Sequence, residues 1–217
     1  RESMKCYARW REPENGGLCV RDQTILQFGE SWDLLASLVL FNPGSALPNR
    51  DAVATEFLSS RGLPYFIRAA DGQQYYEFNL DPLMRSVLKA AAEVFSGGVI
   101  KIYNLFNIKN QNSGEAVGNF ESQVANPLIY TRADEVRYLS APVVFACGLM
   151  ASGNPALERQ LSFHVEQAPK HQMFGLLKTS HKCFTIEPIG VSSVLNTYHP
   201  SFTFKYGNRT DFRGLKT

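Results

Sequence analysis

The chain lacks several of the patterns that most readily identify a protein. Its cysteines, Cys6, Cys19, Cys147 and Cys183, are scattered with no Cys-x-x-Cys pair, so neither a zinc site nor an iron–sulfur cluster is signalled. They read as reduced, mostly buried thiols of a cytosolic protein. No apolar run approaches the roughly 20 residues that cross a bilayer, and no signal peptide is legible ahead of the first strand. The chain opens at Arg1, so a targeting signal upstream would be invisible. The glycine-rich signatures of common α/β enzymes are missing too. No Gly-x-Gly-x-x-Gly follows the first strand, no Gly-Lys-Ser/Thr phosphate loop is present, and no Gly-x-Ser-x-Gly nucleophile elbow occurs. Dehydrogenase, NTPase and serine-hydrolase readings lose their support. Charge excess is also small: the formal net charge of +2 does not by itself demand a nucleic-acid partner.

What is present is a chain of 217 residues, 44% hydrophobic, long enough to bury a full core as one domain and short for two. The expectation is a single domain, 1–217, with residues 1–30 as an N-terminal hairpin extension. The cations are skewed: from Lys170 onward stand Lys170, Lys178, Lys182, Lys205, Arg209, Arg213 and Lys216 against Glu187 and Asp211. That stretch of the chain either faces phosphates or forms a solvated face.

Alternation over Lys5–Trp10, a turn at Asn15-Gly16-Gly17 and resumption at Leu18–Val20 and Ile25–Phe28 predict a hairpin covering one end of the main sheet. A strand over Leu38–Phe41 and a helix over Ala52–Ser60, stopped by Gly62, follow, then an irregular aromatic stretch from Leu63 to Asn79. Asp81-Pro82 opens a helix with Leu83, Val87, Leu88, Ala91 and Val94 on one face and Gly97-Gly98 as its stop. Val99–Phe106 reads as a central strand, residues 113–124 as helical, Pro142–Cys147 as a third buried strand, and Asn154-Pro155 as the cap of a further helix. Final strands near Cys183–Ile186 and Val191–Thr197 deliver His199. Strands alternating with helices predict an α/β fold, a three-layer αβα sandwich around a mainly parallel sheet.

Open parallel sheets keep their chemistry just outside the carboxyl ends of strands, and three polar side chains fall at such exits. Asn42 leaves the run Leu38-Val39-Leu40-Phe41 in an Asn-Pro-Gly-Ser turn, Asn104 ends the Val99 strand, and His199 follows Val194–Tyr198. Each has a plain alternative. Pro43 and Gly44 suit the centre of a type II turn, Asn104 could satisfy a neighbouring backbone group, and His199 could cap a loop.

Taken in order, these exits resemble the uracil-DNA glycosylase superfamily. Its mismatch-specific branch carries Ile-Asn-Pro-Gly where this chain has Phe41-Asn42-Pro43-Gly44, and several branches carry Thr-Tyr-His-Pro-Ser where this chain has Thr197–Ser201. Asp81–Arg85 with Asn104-Leu105-Phe106 also resembles an uncharacterised bacterial domain family related to those glycosylases. The likeness runs over roughly residues 38 to 205. The Gly-Gln-Asp-Pro-Tyr-His motif of the fastest uracil-specific branch is missing, and with it an Asp that activates water and a Tyr that excludes thymine; strict uracil specificity does not follow.

The resemblance implies a monofunctional DNA glycosylase with a uracil-DNA-glycosylase-like fold, no metal and no organic cofactor, acting on DNA as a cytoplasmic monomer with no membrane association. Asn42 and His199 would be catalytic. Asn42 would place water through its carbonyl oxygen, since an amide is no base near neutral pH, and His199 would donate to the leaving base. Phe41 (through its backbone), Asn104, Tyr76 and Phe78 would bind the flipped base. Ser45, Ser201, Phe202, Phe204, Lys205 and Arg209 would contact DNA, the phenylalanines as a wedge between cations or else folded into the core. The aromatics between Leu47 and Asn79 leave open a bulkier modified base, such as those of phage DNA. A non-catalytic DNA- or nucleotide-binding module and an enzyme acting on free nucleosides are the competing readings.

Overall fold

The architecture is that of a computed structural model describing residues 3–13, 17–109 and 113–216. The strands are β1 (Met4–Arg11), β2 (Val20–Phe28), β3 (Leu34–Leu40), β4 (Pro48–Val53), β5 (Gln73–Phe78), β6 (Gly98–Asn104), β7 (Val143–Phe145), β8 (Met173–Ser180), β9 (Cys183–Pro188) and β10 (Arg209–Asp211). The helices are α1 (Thr55–Ser59), α2 (Pro82–Ala92), α3 (Ser113–Gln123), α4 (Gly148–Ala151), α5 (Pro155–Gln167) and α6 (Pro200–Thr203). All the strands join one sheet in the order β10-β9-β8-β7-β3-β6-β2-β1-β5-β4.

The fold is α/β, but the sheet is mixed and more antiparallel than parallel, which corrects the mainly parallel expectation. Strands β8, β7, β3 and β6 form a parallel centre, with β9 and β10 parallel to each other at one edge. The β8–β9 pair and the whole wing β6-β2-β1-β5-β4 are antiparallel. The hairpin is the cause. It does not cover an end of the sheet; β2 pairs along β6 and extends the sheet from its parallel centre. Of its turn, Asn15 and Gly16 lie outside the described residues.

Other boundaries shift for local reasons. Ala52 and Val53 belong to β4, so the short helix begins only at Thr55, and the aromatic stretch contains β5. The run Val191–Asn196 is a 3-10 turn, not a strand. The helix α2 follows its sequence closely: Asp81 Oδ1 accepts from the Met84 amide at 2.8 Å, Pro82 occupies the first turn, and Met84, Val87, Leu88 and Ala91 are buried. Fully burying side chains such as Val87 and Leu88 stabilises by roughly 1.5–3 kcal/mol each.

Two cores lie on opposite faces. One joins Leu38, Leu40, Ile100, Ile102 and the inner side of α2; the other joins Val39, Tyr103, Phe145 and residues of α3 and α5. Alternation along β3 and β6 sends successive side chains to the two faces. In β2 the alternation breaks. Gln23 has φ 50, and the β1–β2 register shifts between Tyr7 and Arg9. The additional residue puts Arg21 opposite Trp10 and Thr24 opposite Ile102, both on the α2 side, although they stand three apart.

Among the described residues no helix is long and apolar enough to cross a membrane.

Candidate functional site

A cleft of about 590 Å³ opens on the α2 side of the sheet at the carboxyl ends of β3 and β6. Asn42, Asn104 and His199 all line it, with Gly44, Ser45 and Asp81 from the turn and the start of α2, and Ser201, Phe204 and Lys205 from α6 and its exit. Arg21 and Thr24 of β2 complete its wall. The three sequence-derived strand exits therefore share one concave site.

Asn42 follows β3 in a turn packed against the N-terminus of α2. Gly44 is not in the left-handed region, so the turn is not type II, contrary to expectation. The glycine instead permits close approach, since a Cβ there would sit 3.2 Å from Asp81 Oδ2. Asn42 Nδ2 donates to the Pro43 carbonyl at 2.6 Å, which fixes the amide and leaves Oδ1 to accept from a ligand or water.

Asn104 ends β6 beside Leu40 and is 2% exposed, yet neither its Nδ2 nor its Oδ1 has a hydrogen-bond partner. From the other face the buried His164 hydrogen-bonds the Asn104 backbone, and its Nδ1 lies 2.6 Å from the Tyr138 hydroxyl. The backbone is held while the amide is open. A buried polar group without a partner costs about 1–3 kcal/mol, so the amide favours a ligand or water that pairs with it in the cleft.

His199 is set by a series of short contacts. The Thr197 hydroxyl accepts from the Gly148 amide at 2.9 Å and donates to the Val194 carbonyl at 2.8 Å, and the Tyr198 amide donates to Leu176 O at 2.9 Å. Gly148 is required there: a Cβ would lie 1.9 Å from Val194 O. The same clamp explains why Val191–Asn196 turns instead of extending. His199 Nδ1 accepts from the Ser201 amide at 3.2 Å and lies 2.7 Å from Ser201 Oγ. With Nδ1 accepting, a neutral ring carries its proton on Nε2. Burial, with Lys205 adding to it, pushes the imidazole down to about 4. Near neutral pH His199 is thus an uncharged Nε2–H donor on the cleft wall.

Several expected site residues lie elsewhere. The Phe41 side chain is 1% exposed and packs edge-on against Phe106 on the opposite face, which bears on its ring and not on the backbone amide expected to act, and Leu40 lines the cleft. Tyr76 and Phe78 belong to β5, separated from β6 by β1 and β2, and neither lines this cleft. Phe78 is buried, and its ring lies 5.6 Å beneath the Arg21 guanidinium. The two wedge candidates divide. Phe204 lines the cleft and packs towards Phe212, whereas Phe202 is 45% exposed, outside the cleft, stacked on Tyr198 and edge-on to Phe184. Tyr206 beside it is 72% exposed. Lys205 borders the cleft, but Arg209 lies in β10, its guanidinium 3.5 Å from Cys183 Sγ in a separate depression.

The residues that sequence reasoning missed are Arg21, Thr24 and Asp81. Arg21 is 3% exposed, with Nε and Nη1 unpartnered, and the Thr24 hydroxyl is likewise buried and unpartnered. Burial pushes the Arg21 guanidinium below its usual range. Among the described residues no group of three or more His, Cys, Asp or Glu side chains is placed to hold a metal ion.

No protein-family model, no curated protein and no solved structure matches the chain.

Proposed function

We propose that the protein is a DNA glycosylase that hydrolyses the N-glycosidic bond of a uracil-like or modified pyrimidine turned out of DNA, leaving an abasic site. The observation that carries this reading is the convergence on one cleft of Asn42 and Asn104, at the ends of the adjacent parallel strands β3 and β6, with His199, which follows the turn Val191–Asn196. These are the residues at which the sequence resembles the uracil-DNA glycosylase superfamily. The cleft offers the elements such chemistry needs: a fixed acceptor for water, a neutral donor, and an amide free to read a base edge.

In this reading the flipped base enters the cleft and Asn104 pairs with its amide edge, one atom donating and the other accepting. Asn42 Oδ1 accepts a hydrogen bond from a water on the far side of the sugar. The water oxygen bonds to the anomeric carbon as the bond to the base nitrogen breaks, and that bond's electron pair leaves with the base. His199 Nε2–H donates to the base oxygen on which the charge accumulates, and the water's surplus proton passes to solvent. A neutral donor suits this role, because it stabilises the anion without first surrendering a charge. Lys205, with the exposed Phe202 and Tyr206 nearby, forms the flank that would meet the phosphates and the opened stack. No step calls for a metal or an organic cofactor.

The cleft volume favours a second form of the same reading. About 590 Å³ falls within the roughly 300–1,000 Å³ that accommodates drug-sized ligands, leaving room for a substituted base and consistent with removal of modified bases from phage DNA.

The test is base release from labelled single- and double-stranded DNA carrying uracil, mismatched thymine, hypoxanthine or phage-type modified cytosines. Release that Asn42→Ala and His199→Ala both abolish supports the reading. DNA binding without release from any substrate moves the protein to a binding module.

A further inference from the structure

The floor of the cleft carries more hydrogen-bonding capacity than a neutral pyrimidine uses. Asn104 alone offers a donor and an acceptor to an amide edge. Lining the same cleft are the Nε and Nη1 donors of Arg21 and the hydroxyl of Thr24, all buried and all without partners. Arg21 makes no ion pair within 4 Å among the described residues. The acidic group on the same wall, Asp81, uses Oδ1 to cap α2. Phe78 supports one face of the guanidinium but cannot accept its in-plane N–H groups.

The geometry of this placement argues against an accident of packing. Regular alternation would send Arg21 and Thr24 to opposite faces; the irregularity at Gln23 turns both towards the cleft. The irregularity is itself secured from behind, where Gln23 bonds to Lys101 and to the Glu135 carbonyl. A guanidinium fork with free donors matches a pair of oxygens on an anionic group better than it matches lone carbonyls.

We infer that the cleft takes a ligand bearing an oxyanion, carboxylate or phosphate, next to an amide edge, with Arg21 holding the oxyanion and Asn104 the edge. This rests on the reading that the cleft receives a base, and makes Arg21 its specificity-determining residue. Neutral uracil fills only part of the floor.

Calorimetric titration of the whole protein with uracil, uracil-5-carboxylate and inorganic phosphate tests it without requiring catalysis. The carboxylate should bind about 10- to 100-fold more tightly than uracil, as expected for hydrogen bonds to a charged group. Arg21→Gln should erase that gap, Arg21→Lys should keep part of it, and Asn104→Leu should weaken both pyrimidines. Phosphate that displaces the carboxylate from the natural protein but not from Arg21→Gln, and binds more tightly than it, identifies phosphate as the source of the anion. Equal affinity for uracil and its carboxylate, an Arg21→Gln variant that remains folded by circular dichroism yet keeps the gap, or no binding of any probe would overturn the inference. The two readings fail separately. Release of uracil from DNA without a preference for the anion removes the inference alone, whereas anion-dependent binding without base release removes the glycosylase alone.

Discussion

Two groups of buried polar side chains lie back to back on the β2–β6 pair, and they differ in one respect. On the face away from the cleft two strong donors, Arg9 and Lys101, are fully used. Arg9 forms a bidentate pair with Asp22, both bonds 2.8 Å, and its remaining nitrogen reaches Glu135 and the Arg68 carbonyl. Lys101, fully buried, gives its three protons to Gln23, the Tyr65 carbonyl and the Tyr103 hydroxyl. On the cleft face Arg21, Thr24 and Asn104 are as deeply buried and have nothing to bond. Burial alone therefore does not distinguish these two groups of polar side chains; their hydrogen bonding does. The closed network holds the strand pair and its irregular step, and the open set is left for what enters.

Substitutions on the two faces should consequently have opposite signs. Asp22→Ala removes the bidentate partner of the buried Arg9 and leaves it Glu135 as its carboxylate partner; it should destabilise by up to about 3–5 kcal/mol, read as a shift of the urea midpoint. Gly148→Ala presses a methyl group against Val194 O. It should cost about 1–3 kcal/mol as an overpacking change and lower any base release, by moving the His199 segment and leaving the Arg9–Asp22 network intact. Arg21→Met removes an unpaired charge and should leave the free protein as stable or up to about 2 kcal/mol more stable; a loss comparable to that of Asp22→Ala would erase the distinction between the faces.

A pH-dependent effect is one the faces share. His164 behind and His199 in front are both pushed down to about 4 by burial, with Lys205 adding to the shift at His199. Unfolded histidine titrates near 6.5, so between these values the unfolded chain binds protons that the folded protein refuses. Stability from these groups is complete above about pH 6.5 and declines as pH falls towards 4, by up to about 1.4 kcal/mol per pH unit for each histidine. Lys101, pushed down to about 7 by burial, titrates largely above this window. His199→Gln should flatten the slope between pH 6.5 and 5 in chemical unfolding, and base release by the natural protein should show no acid limb near 6.5.

How far the sequence reaches differs from element to element. Asn42, Asn104 and His199 were legible because each stands where an apolar run gives way to a loop, and α2 because Asp81-Pro82 is a cap in residue type alone. Arg21 was not, since period-two alternation assigns it and Thr24 to opposite faces and nothing in Arg-Asp-Gln-Thr announces the irregular step. Tyr76 and Phe78 were misplaced because residue type says nothing of sheet order, which sets β5 beyond β1, away from the cleft-lining strand β2. The parallel sheet was overestimated for a related reason: residue type does not place the hairpin beside β6, and β4, β5, β8 and β10 were not read as strands. Val191–Asn196 has the composition of a strand, and is turned by the Thr197 clamp and the close approach at Gly148.

The measurement that bears most directly on the account is a crystal structure of the protein with an abasic DNA duplex and the released base. The account predicts the base in the cleft, its amide edge on Asn104, one oxygen within hydrogen-bond distance of His199 Nε2, and a ligand acceptor on Arg21 Nε or Nη1. A base held elsewhere, with Asn104 and Arg21 still unpartnered or satisfied by water alone, would contradict it.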